Sequence, residues 1–318
     1  MDNIIRLSVK EKVNILEQNN IEYDTRDKEQ WLKDNPMDYV KAVKILNSFP
    51  VEVRHEVFRQ IFSITRLFLP ETLYKFYSIT EDKALNEKKL KTLNEHKVYL
   101  SELTKLNDPF DGRAIFYNAE ELMQFNVLKR HDGMLIDDFA SFHIGTSLSS
   151  ADFRSMPMWA HYSNNHLGYC TSYKTSNNPN LRTFGFPVQY LDARIDITEY
   201  MVEFTEYFLN EKRKQSVRGN KVIILSDFKL IYMMQLLENI KGIDWAYEKE
   251  FKVMLPKNHP NPYMELHPNQ IYIGKNCNDD VVNTLLNIGK EQNIEVYKMR
   301  QGTASTRFEI HPNLIYSP

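Results

Sequence analysis

The segment Trp245-Ala246-Tyr247-Glu248-Lys249-Glu250-Phe251-Lys252-Val253-Met254-Leu255-Pro256 sets two glutamates one residue apart at the head of an apolar, β-prone run. Side chains alternate between faces along a strand, so Glu248, Glu250 and Lys252 are expected in line on one face. Two neighbouring carboxylates repel each other unless they are solvated, paired or put to use. An exposed ion-pair face and a catalytic pair both account for the fragment, which by itself leaves the two open.

Upstream, Met156-Pro157-Met158-Trp159-Ala160-His161-Tyr162-Ser163-Asn164-Asn165-His166 places Trp159 and Tyr162 one helical turn apart on a shared face. Such a pair either stacks on a flat heteroaromatic ring or fills the core. His161 and His166 miss the i, i+4 spacing of two ligands on one helix, and no ordered set of Cys, Asp or Glu completes a zinc quartet. No metal is therefore expected. A third block, Asn107-Asp108-Pro109-Phe110-Asp111-Gly112-Arg113, is dense in turn formers. It either locks two strands together or presents Asp108, Asp111 and Arg113 to a ligand.

The whole chain has 318 residues, with 40 Lys+Arg against 42 Asp+Glu and a formal charge of −2. Its ten glycines form neither GxGxxG nor GxxxxGK[ST], which excludes a standard Rossmann or P-loop phosphate cradle. The near-neutral charge lacks the broad positive field of a duplex-DNA binder. Lys212-Arg213-Lys214, with Arg218 and Lys221, reads as a solvated helix end. No GxSxG elbow supports a serine triad, and Cys170 reads as buried filler. No apolar run approaches the roughly 18 residues of a membrane span, and the charges scattered over 1–17 fit no targeting signal. Cys170 and Cys277 lie too far apart in sequence for a disulfide framework or CxxC site. The expectation is a cytoplasmic protein with no membrane contact.

Residues 1–69 read as a helical cap or partner-binding appendage. Ser8 and Glu11 are spaced as a capping box ahead of Val13, Ile15 and Leu16, and further helices are expected over 37–47 and 51–67. From Pro70 the character changes, and 70–318 reads as one α+β unit. Strands are expected over 73–77, 98–101, 142–149, 168–173, 188–190, 249–255, 270–273, 295–299 and 307–310. Helices are expected from Thr80 to about Glu95 and over 157–162, 197–214, 227–241 and 279–291. Strand and helix do not alternate regularly, which disfavours a doubly wound parallel sheet.

Leu73-Tyr74-Lys75-Phe76-Tyr77, Asn107 to Asp111, Met158 to Cys170 and Trp245 to Glu250, in that order, resemble a bacterial family of uncharacterised proteins. The family's signature runs lYKyy, NDPFD/E, MWxHYxxNHxGxC and WxYExE, and the resemblance spans about residues 72–275. At Lys252 the family more often has Arg. Some relatives look like abortive-infection proteins of phage defence.

More distantly, Glu248-Lys249-Glu250 before an apolar strand is similar to the ExE strand of ADP-ribosyltransferases, whose fold is a split pair of small sheets with helices. Gly145-Thr146-Ser147-Leu148-Ser149 resembles their Ser-Thr-Ser strand, and Lys75 stands where they carry His or Arg. This resemblance implies NAD as substrate, with Glu250 stabilising an oxocarbenium-like ribose and Glu248 orienting or deprotonating the acceptor, a protein or nucleic acid. It further implies Trp159 or Tyr162 stacking on a ring, and Ser149 and Lys75, with Tyr77 beside it, holding ribose or phosphate. Asn107 and Arg113 would contribute. Two alternatives stand beside it. One is a nucleotide or phage-component sensor without turnover, signalling through 1–69. The other is a metal-dependent nuclease built on Glu250-Phe251-Lys252 with Asp108 or Asp111, against which the separation of about 140 residues argues.

Overall fold

The computed structural model describes residues 38–65, 69–217, 223–302, 306 and 308–318. The capping box at Ser8 and Glu11, and Arg218 and Lys221 of the basic run, lie outside the described residues. The first elements are α1 (Tyr39–Ser48), α2 (Val51–Thr65), β1 (Thr72–Tyr77), α3 (Lys83–Asn94), β2 (Lys97–Tyr99), β3 (Ser101–Glu102), β4 (Ile115–Phe116), α4 (Ala119–Leu122) and β5 (His143–Ser149). Then come α5 (Met156–Tyr162), β6 (Tyr169–Lys174), α6 (Pro179–Phe184), β7 (Gly185–Pro187), β8 (Gln189–Leu191), β9 (Ile195–Asp196), α7 (Thr198–Val217), α8 (Lys229–Leu237) and β10 (Ile240–Gly242). The last are β11 (Glu250–Pro256), β12 (Tyr263–Glu265), β13 (Gln270–Ile273), α9 (Asp279–Gln292), β14 (Glu295–Gln301) and β15 (Ile310–Tyr316).

The fold is α+β. A nine-stranded sheet runs β15-β14-β13-β6-β1-β5-β11-β7, with β3 joining at β5. Its pairs are antiparallel except β13–β14. Three two-stranded sheets, β8–β10, β2–β12 and β4–β9, flank it. The sheet splits at β5. On one edge, Ser149 pairs with Tyr74 of β1, whereas Gly145 and Ile144 pair with Ser101 and Glu102 of β3. Between them Thr146, Ser147 and Leu148 have no strand partner on that edge, while the other edge is paired along its whole length with β11.

Alternation of side chains gives the sheet two buried faces. Tyr169, Ile271, Ile273 and Val296 meet Leu90 and Leu93 of α3 and Leu285 and Ile288 of α9 on one. Phe76, Cys170, Tyr272 and Met299 meet Met158 and Trp159 of α5 on the other. A third core gathers helices. Tyr39, Ala42, Val43 and Leu46, at the spacing of one α-helical face, pack with Ile61, Phe186, Met201 and Leu237. Asp38 caps α1 by accepting from the Lys41 N–H at 2.9 Å, and the Tyr39 hydroxyl donates to the Pro187 carbonyl at 2.6 Å. Among the described residues no helix is long and apolar enough to cross a membrane.

Several boundaries differ from the sequence reading for local reasons. The helix expected from Thr80 starts at Lys83, because Asp82 is the cap and accepts from the Leu85 N–H at 3.0 Å. The strand expected over 98–101 breaks at buried Leu100, whose N–H turns to the Pro262 carbonyl. The helix expected to 241 ends at Leu237. There the chain extends so that Asn239 O accepts from Gln189 N and Ile240–Gly242 pairs in parallel with β8.

Candidate active site

The split in the sheet opens a cavity of about 180 Å³ lined by residues of β1, β2, β3, β5, α5, β10 and β11 and of the 106–111 turn. Lys75 of β1 reaches into the split. Its ammonium donates to Thr146 Oγ1 at 2.7 Å and to the Ser147 carbonyl at 3.1 Å, taking the place of the absent strand. Burial lowers this ammonium to about 8, against the raising effect of Glu250 and with Lys89 adding to the fall.

Glu248 and Glu250 converge on the cavity, but not by strand alternation as the sequence suggested. Glu248 ends a short 3₁₀ segment, Ile243–Glu248, and Glu250 opens β11. Between them Lys249 adopts a left-handed conformation, φ 45°. The Ser150 N–H and hydroxyl both donate to the Lys249 carbonyl, at 2.9 and 3.1 Å, and the Ser149 hydroxyl donates to the Glu248 carbonyl. The end of β5 thus holds a backbone turn that a lysine would not choose by itself.

Both carboxylates are 3% exposed and fully engaged. Lys241 of β10 stands between them, 2.8 Å from Glu248 Oε2, 3.0 Å from Glu250 Oε2 and 3.6 Å from Asp111 Oδ2. Lys252 pairs with Asp111 Oδ1 and donates to the Glu238 carbonyl at 3.2 Å. The Ser147 hydroxyl donates to Glu250 Oε1 at 2.5 Å, and the Tyr162 hydroxyl donates to Glu248 Oε1 while accepting from Asn107 Nδ2 at 3.1 Å. The Glu250 N–H donates to the Tyr190 hydroxyl at 2.9 Å.

The two glutamates respond in opposite directions. Burial, followed by the charge of Glu250, pushes the Glu248 carboxyl up to about 7 against the pull of Lys241 and Tyr162. Burial also acts to raise Glu250, but the Lys252 and Lys241 ammoniums overcome it and hold that carboxyl down at about 2. Burial raises Asp111 despite its two lysines, and the three carboxylates keep Lys241 protonated against its own burial. One group poised near neutrality beside one fixed as an anion is the arrangement that divides acid–base work between two carboxylates.

Of the residues singled out in the sequence, Glu248, Glu250, Lys75, Ser149, Tyr162 and Asn107 line this cavity together. Trp159 does not. It is wholly buried, edge-on to Phe76 and stacked on His166, and its Nε1 donates to the Phe153 carbonyl at 2.6 Å. Tyr77 does not line the cavity either; it shares its face of β1 with Lys75, whose ammonium stands 5.4 Å from its ring centre, and it stacks on Tyr169 at 4.7 Å. Arg113 is held by a two-pronged pair with Asp138, at 2.9 and 2.7 Å. The sequence reading missed Lys241, Tyr190 and the hydroxyl of Ser147. Asp111 and Lys252 belong to one ionic cluster with Glu250 although about 140 residues separate Asp111 from it. Among the described residues no group of three or more His, Cys, Asp or Glu side chains is placed to hold a metal ion.

No curated protein and no solved structure matches the chain. The blocks at 73–77 and 107–111 lie outside the stretch for which a family match is found, whereas the Trp159–Tyr162 helix and both glutamates lie inside it. Residues 158–253 match the family model DUF2971, described as a protein of unknown function.

Proposed function

We propose that the cavity cleaves an N-glycosidic bond with NAD as donor, so that the chain acts as an ADP-ribosyltransferase-like or NAD-glycohydrolysing enzyme. The observation that carries this reading is the convergence of Glu248 and Glu250 on one ammonium, Lys241, at the wall of the cavity, where burial pushes Glu248 up and Lys252 and Lys241 hold Glu250 down. With Glu248 ionised, the carboxylates of Asp111, Glu248 and Glu250 gather about the single ammonium of Lys241. Glu248 and Glu250 also line the cavity, where a carboxylate suits the positive charge that grows on a ribose as its pyridinium ring departs.

In this scheme the bond from ribose C1′ to the pyridinium nitrogen breaks, its electron pair goes to that nitrogen, and neutral nicotinamide leaves. Glu250, fixed as an anion, faces the developing oxocarbenium charge. The acceptor oxygen or nitrogen bonds to C1′ and passes its proton to Glu248. Tyr162 and Tyr74, both lining the cavity, offer flat flanks for the ring, in place of Trp159. The resemblance to abortive-infection proteins adds a role as a phage-defence effector, with residues 1–69 as the regulatory partner surface.

Incubation of the purified chain with NAD, with and without cell extract, tests the chemistry through nicotinamide release followed by mass spectrometry. Replacing Glu250 by Gln removes the fixed anion, and release is expected to fall by about 10²-fold or more. Unchanged release in that variant contradicts the assigned role. A metal-dependent nuclease is the second reading, favoured by the meeting of Asp111, Glu250 and Lys252. Against it, the point shared by the three carboxylates is occupied by the Lys241 ammonium, which leaves no vacancy for a divalent ion. Magnesium-dependent nicking of plasmid or RNA would reverse that preference.

A further inference from the structure

Two of the residues that line the cavity are lysines, and their surroundings differ. Lys241 is enclosed by the carboxylates of Glu248, Glu250 and Asp111 at 2.8, 3.0 and 3.6 Å, which keep its nitrogen an ammonium. Lys75 has no ion pair among the described residues. Its nitrogen meets the Thr146 hydroxyl at 2.7 Å and the Ser147 carbonyl at 3.1 Å, both neutral, and Glu250 acts on it only by charge from beyond ion-pair distance.

Two neutral acceptors suit a free amine. An ammonium offers three N–H donors, and Thr146 and Ser147 take two of them. Loss of the third proton leaves both hydrogen bonds in place and puts a lone pair in the third position, which no hydrogen bond claims among the described residues. Burial in the split of the sheet, with the Lys89 ammonium adding to it, lowers Lys75 to about 8, whereas an ordinary lysine titrates near about 10.4. A buried lysine beside a second cation and held by neutral groups has a usable share of nucleophilic amine at neutral pH. The cavity sets the size and charge of what that amine meets. Its volume of about 180 Å³ holds a molecule of a few carbons, short of the roughly 300–1,000 Å³ of drug-sized sites. Tyr99, Ser101 and Asn107 line it as well and supply hydrogen-bonding groups for hydroxyls. An anionic ligand would meet the Glu250 anion and would hold Lys75 as the charged ammonium, which has no lone pair to attack with.

We propose that Lys75 is a covalent site for a small neutral hydroxyaldehyde, which it takes up as an imine. The nitrogen lone pair attacks the carbonyl carbon, a C–N bond forms, and the carbonyl π pair moves to oxygen. Both amine protons pass to that oxygen, which leaves as water while the nitrogen pair closes the C=N bond. The C=O bond and the N–H bonds are exchanged for a C=N bond and a water molecule, with no oxidant or reductant. The Thr146 hydroxyl, an acceptor until then, is free to donate to the imine nitrogen. NAD takes no part, so this chemistry stands or falls apart from the glycosidic reading.

Incubation of the full chain with glyceraldehyde and cyanoborohydride, which reduces an imine to a stable amine, tests the site, with the labelled lysines read by peptide mass mapping. At neutral pH Lys75 is expected to label about tenfold or more faster than the exposed Lys91 and Lys105 in the same sample. Its rate is expected to saturate as glyceraldehyde is raised, since the aldehyde binds before it reacts. With pH the rate is expected to climb and then level off above about 8, because only the free amine attacks. Glyoxylate, an aldehyde that carries a carboxylate, is expected to label Lys75 no faster than the two exposed lysines. Labelling of Lys75 by glyceraldehyde at the pace of those lysines, or at a rate that stays proportional to glyceraldehyde, overturns the site. Glyoxylate labelling Lys75 as fast as glyceraldehyde overturns it too, since the cavity would then make no choice of charge.

Discussion

Glu248 and Glu250 carry the same functional group and share Lys241, yet their neighbours assign them different charges. Glu250 has the Lys252 and Lys241 ammoniums beside it, which hold its carboxyl down at about 2; Glu248 has Glu250 itself as its repulsive neighbour. If Glu248 takes the acceptor's proton, it must be ionised to act. Turnover is then expected to fall as pH drops through about 7, where Glu248 becomes protonated, and to level off above it. A profile of kcat/KM against pH checks this, with Glu248→Gln expected to lose the rise. An acid limb lying near 4.5 instead would place the working base elsewhere.

At the scale of single elements, the two residues around Lys249 show what local sequence carries and what it hides. The pair of glutamates is visible as a string, but the left-handed turn that brings them together depends on Ser149, the last residue of β5, and Ser150 just beyond it holding two carbonyls. Lysine supplies no preference for φ 45°. Lys249→Val, whose branched Cβ crowds that conformation, is expected to cost about 1–2 kcal/mol, and Lys249→Gly to be neutral or mildly stabilising; urea unfolding of the two variants gives the comparison. Equal stability of both would mean that the turn carries no strain.

The same limit explains Trp159 and Lys241. Aromatic spacing on α5 is identical whether its face turns to a ligand or to a sheet, and only the sheet decides. In sequence Lys241 stands at the end of an apolar helix, since Leu230, Met234 and Leu237 keep helical spacing up to it. The switch to a strand is dictated by β8, about 50 residues earlier. Most of the longer elements of 70–318 are legible in the sequence, whereas the helix Pro179–Phe184, the strands Ile240–Gly242 and Tyr263–Glu265 and the long-range pairings that assemble the site are not.

At the scale of the molecule, the helices at 39–65 share a core with residues far along the chain. Leu46 and Ile61 are wholly buried against a cluster that includes Phe186, Met201 and Leu237. Leu46→Ala is expected to cost about 2–5 kcal/mol and to move one cooperative transition to lower temperature. Scanning calorimetry would show this directly. Two transitions, of which only one moves, would mean that these helices melt as a separate unit.

The split at β5 has a consequence for exchange with solvent. Residues alternate in the edge they present, so Ser147, whose carbonyl meets Lys75, turns its backbone toward the cavity, while Thr146 and Leu148 turn theirs toward β11. Ser147 is a single missing rung in the middle of a wide sheet. Its amide hydrogen is expected to exchange with deuterium much faster than those of the residues on either side, and to slow when the cavity is filled. That opening is produced by strand register and not by a loop, so no hinge closes it, and residues lining it can change while the doorway stays where the pairing of β1, β3 and β5 put it.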